Sequence, residues 1–197
     1  MKRLWLLLLL AGCVHRVENT GPDDGRFKML HQVSVTYGGS QYLLQGYVLG
    51  KPNGDFRVSA AAMMGPRIFD VARIGGEWKS KIHFAQLKDK LDPKYLGHAI
   101  DRVYFVECPD KAASCPVVGD EEFDSVTIER NPAGEVVSKH FLTKGTSALE
   151  ILYTEYGEFS GVHQAGKITV THVQYQLIIA LESYQPHPGF ADELLEP

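Results

Sequence analysis

From residue 31 onward, apolar side chains recur at every second position, and this alternation constrains the fold more than anything else in the chain. "HQVSVTY" sets Val33, Val35 and Tyr37 against Gln32, Ser34 and Thr36. Only a strand sends successive side chains to opposite faces, so a period of two means a half-buried sheet. "GGS" turns the chain into "QYLLQGYVLG", and Pro-Asn-Gly-Asp then turns it back. Asn-Gly pairs suit tight hairpins because both residues tolerate positive φ. "DFRVSAAAM" alternates Phe56, Val58, Ala60 and Ala62; "RIFDVARI" follows, then Gly75-Gly76, then "EWKSKIHF". Five consecutive strands with short turns read as an antiparallel meander.

The pattern then changes. "LKDKLDPKYLGHAIDRVYFV" spaces Leu91, Tyr95, Ala99 and Val103 at helical intervals, with Leu96 and Ile100 beside them. Asp92-Pro93 supplies an N-cap and a first helical residue, so the spacing predicts one helix over 93–104. Strands return in "FDSVTIER", "VVSKHFLTKG" and "SALEILYTEYGE". "GKITVTHVQYQLIIALESY" closes the series, with Val173, Tyr175, Leu177, Ile179 and Leu181 on one face. Roughly nine strands and one mid-chain helix make a mainly β fold. The expected form is an incomplete antiparallel barrel, or strongly curved sheet, with the helix against its concave face. The tail "QPHPGFADELLEP" is expected to be frayed.

The first thirteen residues set the compartment. Lys2 and Arg3 precede an apolar run from Leu4 to Leu10, too short to span a bilayer as a permanent helix. Leu9-Leu10-Ala11-Gly12-Cys13 resembles the lipobox of bacterial lipoproteins. The resemblance implies cleavage before Cys13 and acylation of its thiol; an ordinary secretory signal with a coincidental cysteine is the rival. The implied division is 1–12 signal peptide, 13–29 lipidated Cys and flexible tether, 30–184 folded domain and 185–197 tail. Loss of Lys2 and Arg3 takes the formal charge from −4 to −6, so acyl chains rather than electrostatics must hold the protein on a membrane. Val14 follows the cysteine where an Asp would favour the inner membrane, so the expected site is the outer membrane, facing the periplasm. In an oxidising compartment Cys108 and Cys115 are expected to pair, since "CPDKAASC" can bring them into range. A metal site is the alternative, but no CxxC pair lies nearby.

One turn breaks the usual chemistry. "AAAMMGPRIF" reverses the chain through Met63, Met64 and Gly65 rather than through Asn, Asp or Ser. Either a Met faces inward as a gap filler, or the tip is exposed and touches a bilayer or an apolar partner.

A lipobox, a polar tether, a five-strand meander, a helix and a returning meander together resemble the LolA/LolB family, which includes an uncharacterised group of LolB-like bacterial lipoproteins. "DFRVSAAAMMGPRIFDVARIGGEW" is the most specific match, similar to the LolB strand that runs into an apolar Asn-Pro-Leu-Gly turn. Met64 falls on the Leu, Met63 on the Pro and Gly65 on the Gly. The resemblance implies an unclosed half-barrel with an apolar cavity for acyl chains, and a membrane-contacting tip at Met63, Met64 and Gly65.

Enzyme signatures such as GxSxG, HExxH or a P-loop are absent, and the eight His are scattered, so neither catalysis nor a metal or cofactor is expected. There is no basic run to track a phosphate backbone, which argues against nucleic acid. The inward apolar rows are candidates for the cavity wall: Val33, Val35, Leu44, Phe56, Val58, Phe69, Val71, Tyr95, Tyr175, Leu177 and Ile179. The same residues would equally form a closed core. The expected function is an outer-membrane-anchored lipoprotein that binds or helps transfer a lipidic ligand or acylated protein. The alternative is a non-transferring envelope scaffold or accessory lipoprotein with a filled core. Expected partners are the membrane, lipid or lipoprotein acyl chains and envelope proteins, and a monomer is expected.

Overall fold

The computed structural model describes residues 25–83, 93–186 and 189–197. The signal peptide, Cys13 and most of the expected tether lie outside the described residues.

Eleven strands form a single antiparallel sheet that does not close. The first meander comprises β1 (Phe27–Tyr37), β2 (Ser40–Gly50), β3 (Phe56–Ala62), β4 (Arg67–Ile74) and β5 (Glu77–Ile82). The second comprises β6 (Ser114–Pro116), β7 (Ser125–Arg130), β8 (Val136–Thr143), β9 (Thr146–Phe159), β10 (Val162–His172) and β11 (Tyr175–Pro186). The spatial order is β5-β4-β3-β2-β1-β11-β10-β9-β8-β7-β6, so the two meanders join where β1 pairs with β11. The helix α1 occupies Pro93–Tyr104, as the spacing predicts, and packs against β4 and β5.

Four expectations are corrected by the described residues. The count is eleven strands rather than nine. The run read as one last strand is two, because Val173 and Gln174 form a turn between β10 and β11, and Val173 is 89% exposed. Alternation alone missed this, since Val173 keeps the parity of Tyr175 across the reversal. Finally, the tail is not frayed. Asp192–Leu195 forms a short 3-10 turn, and Leu195 is buried with Phe190 and Leu49 on the sheet face opposite α1. Strand β1 also starts at Phe27, within the segment read as tether.

Two packed clusters fill much of the inner face. Phe56, Val58, Phe69 and Val71 meet α1 and Phe105, with the Phe56 and Phe105 rings stacked 4.6 Å apart. Phe123, Phe141, Leu149 and Ile151 form the second cluster with Val103 and Cys108. Cys108 is bonded to Cys115, Cα to Cα 5.6 Å, which staples the segment after α1 to the edge strand β6.

Helix α1 is tied down at its C-terminal end, where carbonyls lack intrahelical partners. Lys139 Nζ of β8 donates to Arg102 O at 3.3 Å, Val103 O at 3.2 Å and Val106 O at 2.8 Å. Tyr153 OH of β9 also donates to Val103 O, at 2.6 Å. A cation at the negative end of the helix dipole is favourable as well as hydrogen-bonded. Arg102 is buried in a fork with Asp120, at 2.7 and 2.8 Å, and lies over the Phe123 ring.

Candidate functional site

Between the two packed clusters the inner face stays open. A cleft of about 520 Å³ lies under the end of α1, floored by β1, β11, β10, β9 and β8. Its apolar wall includes Phe27, Met29, Ile168, Ile179 and Leu181, and Val103 and Phe105 close it from the helix side. Lys51, Glu107, Glu135 and His163 lie at its mouth.

Polar groups in the wall are arranged so that burial is tolerated. His31 is 4% exposed, and its Nε2 lies 3.0 Å from Tyr104 OH. Burial pulls the imidazole down to about 4, so it is neutral at pH 7 and pairs with the phenol without an ion. Burial pushes the Tyr104 hydroxyl up, so it keeps its proton. Burial pulls Lys139 down to about 8, and the three carbonyls around it hold the ammonium form. Gln164 also lines the cleft, with its Nε2 buried and without a hydrogen-bond partner. At the mouth the ionisable groups are paired: Lys51 with Asp192 at 2.7 Å, Glu107 with Arg130 at 2.5 Å, and His163 with Glu135 at 2.7 Å and Glu158 at 3.1 Å.

Of the cavity candidates read from sequence, the structure brings Ile179 to the cleft. Phe56, Val58, Phe69 and Val71 are instead filled core against α1. Val33, Tyr175 and Leu177 pack on the second cluster, deeper along the same strands. Val35 and Leu44 are partly buried toward the far hairpins and do not line the cleft. Tyr95 falls in the first turn of α1, and its side chain lies outside the described residues.

Sequence reasoning missed His31, Lys139, Tyr153 and Gln164. For His31 the signal was present: Phe27, Met29 and His31 extend the inward row of Val33 and Val35 backward. For others, irregular strands hide it. In β11 the ladder shifts between Leu30 and His31, so Leu181 and Tyr184, three apart, both reach the cleft. A shift beside Arg130 and Val136 does the same for Lys139 and Val136. In β9, Glu155 takes φ 56 opposite Gly166, where a Cβ would meet Glu155 O at 2.7 Å, and Tyr153 and Tyr156 then share the cleft. Such bulges turn side chains to the other face and defeat a strict period of two.

The methionine turn is exposed. Met64 projects fully into solvent with φ 54, and Met63 is 43% exposed. Gly65 N donates to Ala62 O at 2.9 Å, and a Cβ at Gly65 would meet the Ala62 side chain at 2.8 Å, so glycine is required there. Tyr37, Tyr42, Leu43 and Val173 are also exposed at this end of the sheet. They lie on the β1–β2 and β10–β11 hairpins, whose tips point the same way as β3–β4. The cleft mouth opens at the opposite end, where β1 begins.

The described residues form an unclosed antiparallel half-barrel, with a helix laid across its concave face and an apolar cleft between them. Among solved structures this shape is that of the LolA/LolB-like fold. A LolA superfamily protein from Nitrosomonas europaea superposes with a TM-score of 0.54 at 12% identity, over 90% of this chain and 92% of that one. A domain described as outer membrane lipoprotein-sorting, from Vibrio parahaemolyticus, gives 0.52 at 8% identity over 87% and 89%. A DUF1329 family protein from Desulfovibrio piger gives 0.56 at 9% identity over 89% and 91%. No protein-family model matches the chain, and no curated protein does.

Proposed function

We propose that this chain is a lipid-anchored protein of the bacterial cell envelope that holds a lipidic ligand, or the acyl part of an acylated protein, in its cleft without catalysis. The observation that carries the reading is the cleft itself. It is walled by apolar side chains, sized within the ~300–1,000 Å³ of small-molecule sites, and left open between two clusters packed to completion. The lipobox at Cys13 supports anchoring, and Val14 supports the outer membrane facing the periplasm. Binding would be passive: apolar burial drives entry, and transfer into a bilayer drives release. The His31–Tyr104 pair is neutral and buried, and the Lys139 ammonium is engaged by three carbonyls, so these groups serve structure. A scaffold reading draws support from the packed β2–β5 half, whose Phe56 and Val71 are fully buried.

Organic extraction of the full chain, purified from envelopes in mild detergent, separates the two. A roughly stoichiometric non-covalent lipid is expected, beyond the acyl groups that remain attached to Cys13. Protein that is lipid-free and also fails to take up a fluorescent fatty acyl probe would sink the carrier reading in favour of the scaffold.

A further inference from the structure

The cleft's size and lining narrow the ligand, on the reading that it holds a lipid at all. We propose that it takes a single acyl chain, entering from the mouth and presented as an ester beneath a neutral or zwitterionic headgroup, the chemistry of a lysophospholipid.

Volume sets the number of chains. A methylene occupies about the ~30 Å³ of a water molecule in the liquid, so 520 Å³ accommodates roughly seventeen carbons. Two or three chains need two or three times that space. The surroundings do not yield it. On one side Phe56 and Val71 are fully buried beneath Phe105. On the other, Phe141 and Ile151 are fully buried. Interiors packed to this degree do not dilate by the volume of a second chain without repacking.

The polar groups set the depth. Gln164 stands next to His163 at the mouth, and its Nε2 is a buried donor with no acceptor. An orphaned buried donor is costly, and an ester carbonyl brought in at this level satisfies it by a small turn of the amide. The chain then runs inward past Ala165 and Ile168 toward Met29 and Ile179. The headgroup is left among Lys51, Glu107, Glu135 and His163. All four are already engaged, with Asp192, Arg130, Glu158 and one another. A bare anionic headgroup finds no dedicated cation in that set, whereas a zwitterion can exchange with the existing pairs.

Native mass spectrometry of the full chain in non-ionic detergent tests this with three probes. They are 1-palmitoyl lysophosphatidylethanolamine, its 1-hexadecyl ether analogue and dipalmitoyl phosphatidylethanolamine. A one-to-one complex with the lysolipid is expected, at least about tenfold tighter than with the diacyl lipid. Gln164→Leu is expected to weaken the ester roughly three- to tenfold, the worth of one hydrogen bond, and to leave the ether unchanged. Ala165→Trp, which fills the cleft, is expected to abolish binding of both, with a melting curve to confirm folding. Equal binding of the diacyl lipid would overturn the single-chain proposal while leaving the carrier reading intact. An equal loss of ester and ether in Gln164→Leu would overturn the carbonyl contact. Failure of all three probes would overturn both readings together.

Discussion

His31 shows what one buried titratable group does to the whole chain. Held at about 4 in the fold against 6.5 in the unfolded chain, it stays neutral where the unfolded state takes up a proton. Its contribution is therefore complete above about pH 6.5 and is lost as the pH falls toward 4. Tyr104, whose hydroxyl bonds Nε2, keeps its proton throughout this range and adds no slope of its own. Between pH 7 and pH 5 the loss is about 2 kcal/mol, which is a large share of the stability of an ordinary domain. Denaturant unfolding at stepped pH measures it directly. The His31→Gln variant, which can still bond the phenol, is expected to lose about 2 kcal/mol less over that interval than the parent. Parallel pH profiles would show that His31 is not the group responsible. Asp70 works in the same direction but at lower pH. It is fully buried, and burial alone would raise it. Hydrogen bonds from Ser59, His83 and Arg57 hold it below the usual carboxylate range instead. Its stabilisation is complete above the ordinary carboxylate range and is lost only as the pH falls below about 4, so it does not confound the His31 measurement.

At the scale of elements, the C-terminal segment is a further strip of packing on the outer face rather than a loose end. Arg57 Nη1 donates to Leu194 O at 2.9 Å and Glu196 O at 2.7 Å, while its other nitrogens hold Asp70. Asp192 meets Arg26 and Lys51, and Lys79 meets Glu196 at 2.7 Å. Leu195 is 1% exposed and Leu194 52% exposed, so two adjacent identical residues make a controlled comparison. Leu195→Ala is expected to cost about 2–5 kcal/mol and Leu194→Ala less than about 0.5 kcal/mol, read as shifts in thermal or denaturant midpoint. Similar small effects at both would mean the segment is not docked. The same segment shows why reading the sequence succeeded in some places and not in others. The helix and the hairpins carried their own local signals, in Pro93 and in the Asn-Gly and Gly-Gly turns. The docking of "FADELLEP" depends on Leu49 and Arg57, about 140 residues earlier, and no local pattern announces a contact that distant. The cleft was legible only where alternation stayed regular, at Ile179. It disappeared where bulges in β8, β9 and β11 turned Val136, Tyr156 and Tyr184 inward.

For the whole molecule, the decisive geometry is that the cleft mouth and the methionine tip lie at opposite ends of the sheet. Phe27 is both the first residue of β1 and part of the cleft wall, so a tether from Cys13 enters the domain at the mouth. The ladder sets Phe27 level with Gly50 and Phe56, and Ala62 lies six residues further along β3. The tip beyond it is therefore ~27 Å from the mouth end at ~3.3 Å per residue. From Cys13 to Phe27 the chain can reach at most ~48 Å, at ~3.3–3.6 Å per residue. On the proposed anchor at Cys13, that is enough for the domain to lie along the membrane, with mouth and tip both at the lipid surface. Met64 and Met63 would then each bury about 1.5–3 kcal/mol of apolar side chain, too little to anchor alone but enough to orient a domain already held by acyl chains. In full-length protein on vesicles, an environment-sensitive dye on Met64→Cys is expected to report an apolar setting; Cys108 and Cys115 are bonded to each other, and the proposed acylation would block Cys13. Deleting residues 15–24 leaves a reach of only ~14 Å. The flat pose already sets Phe27 at the surface, so the dye at position 64 is expected to keep its apolar reading, as is one on Lys51→Cys at the mouth. A water-exposed reading at position 64 with either tether would mean that the tip does not touch the anchoring bilayer.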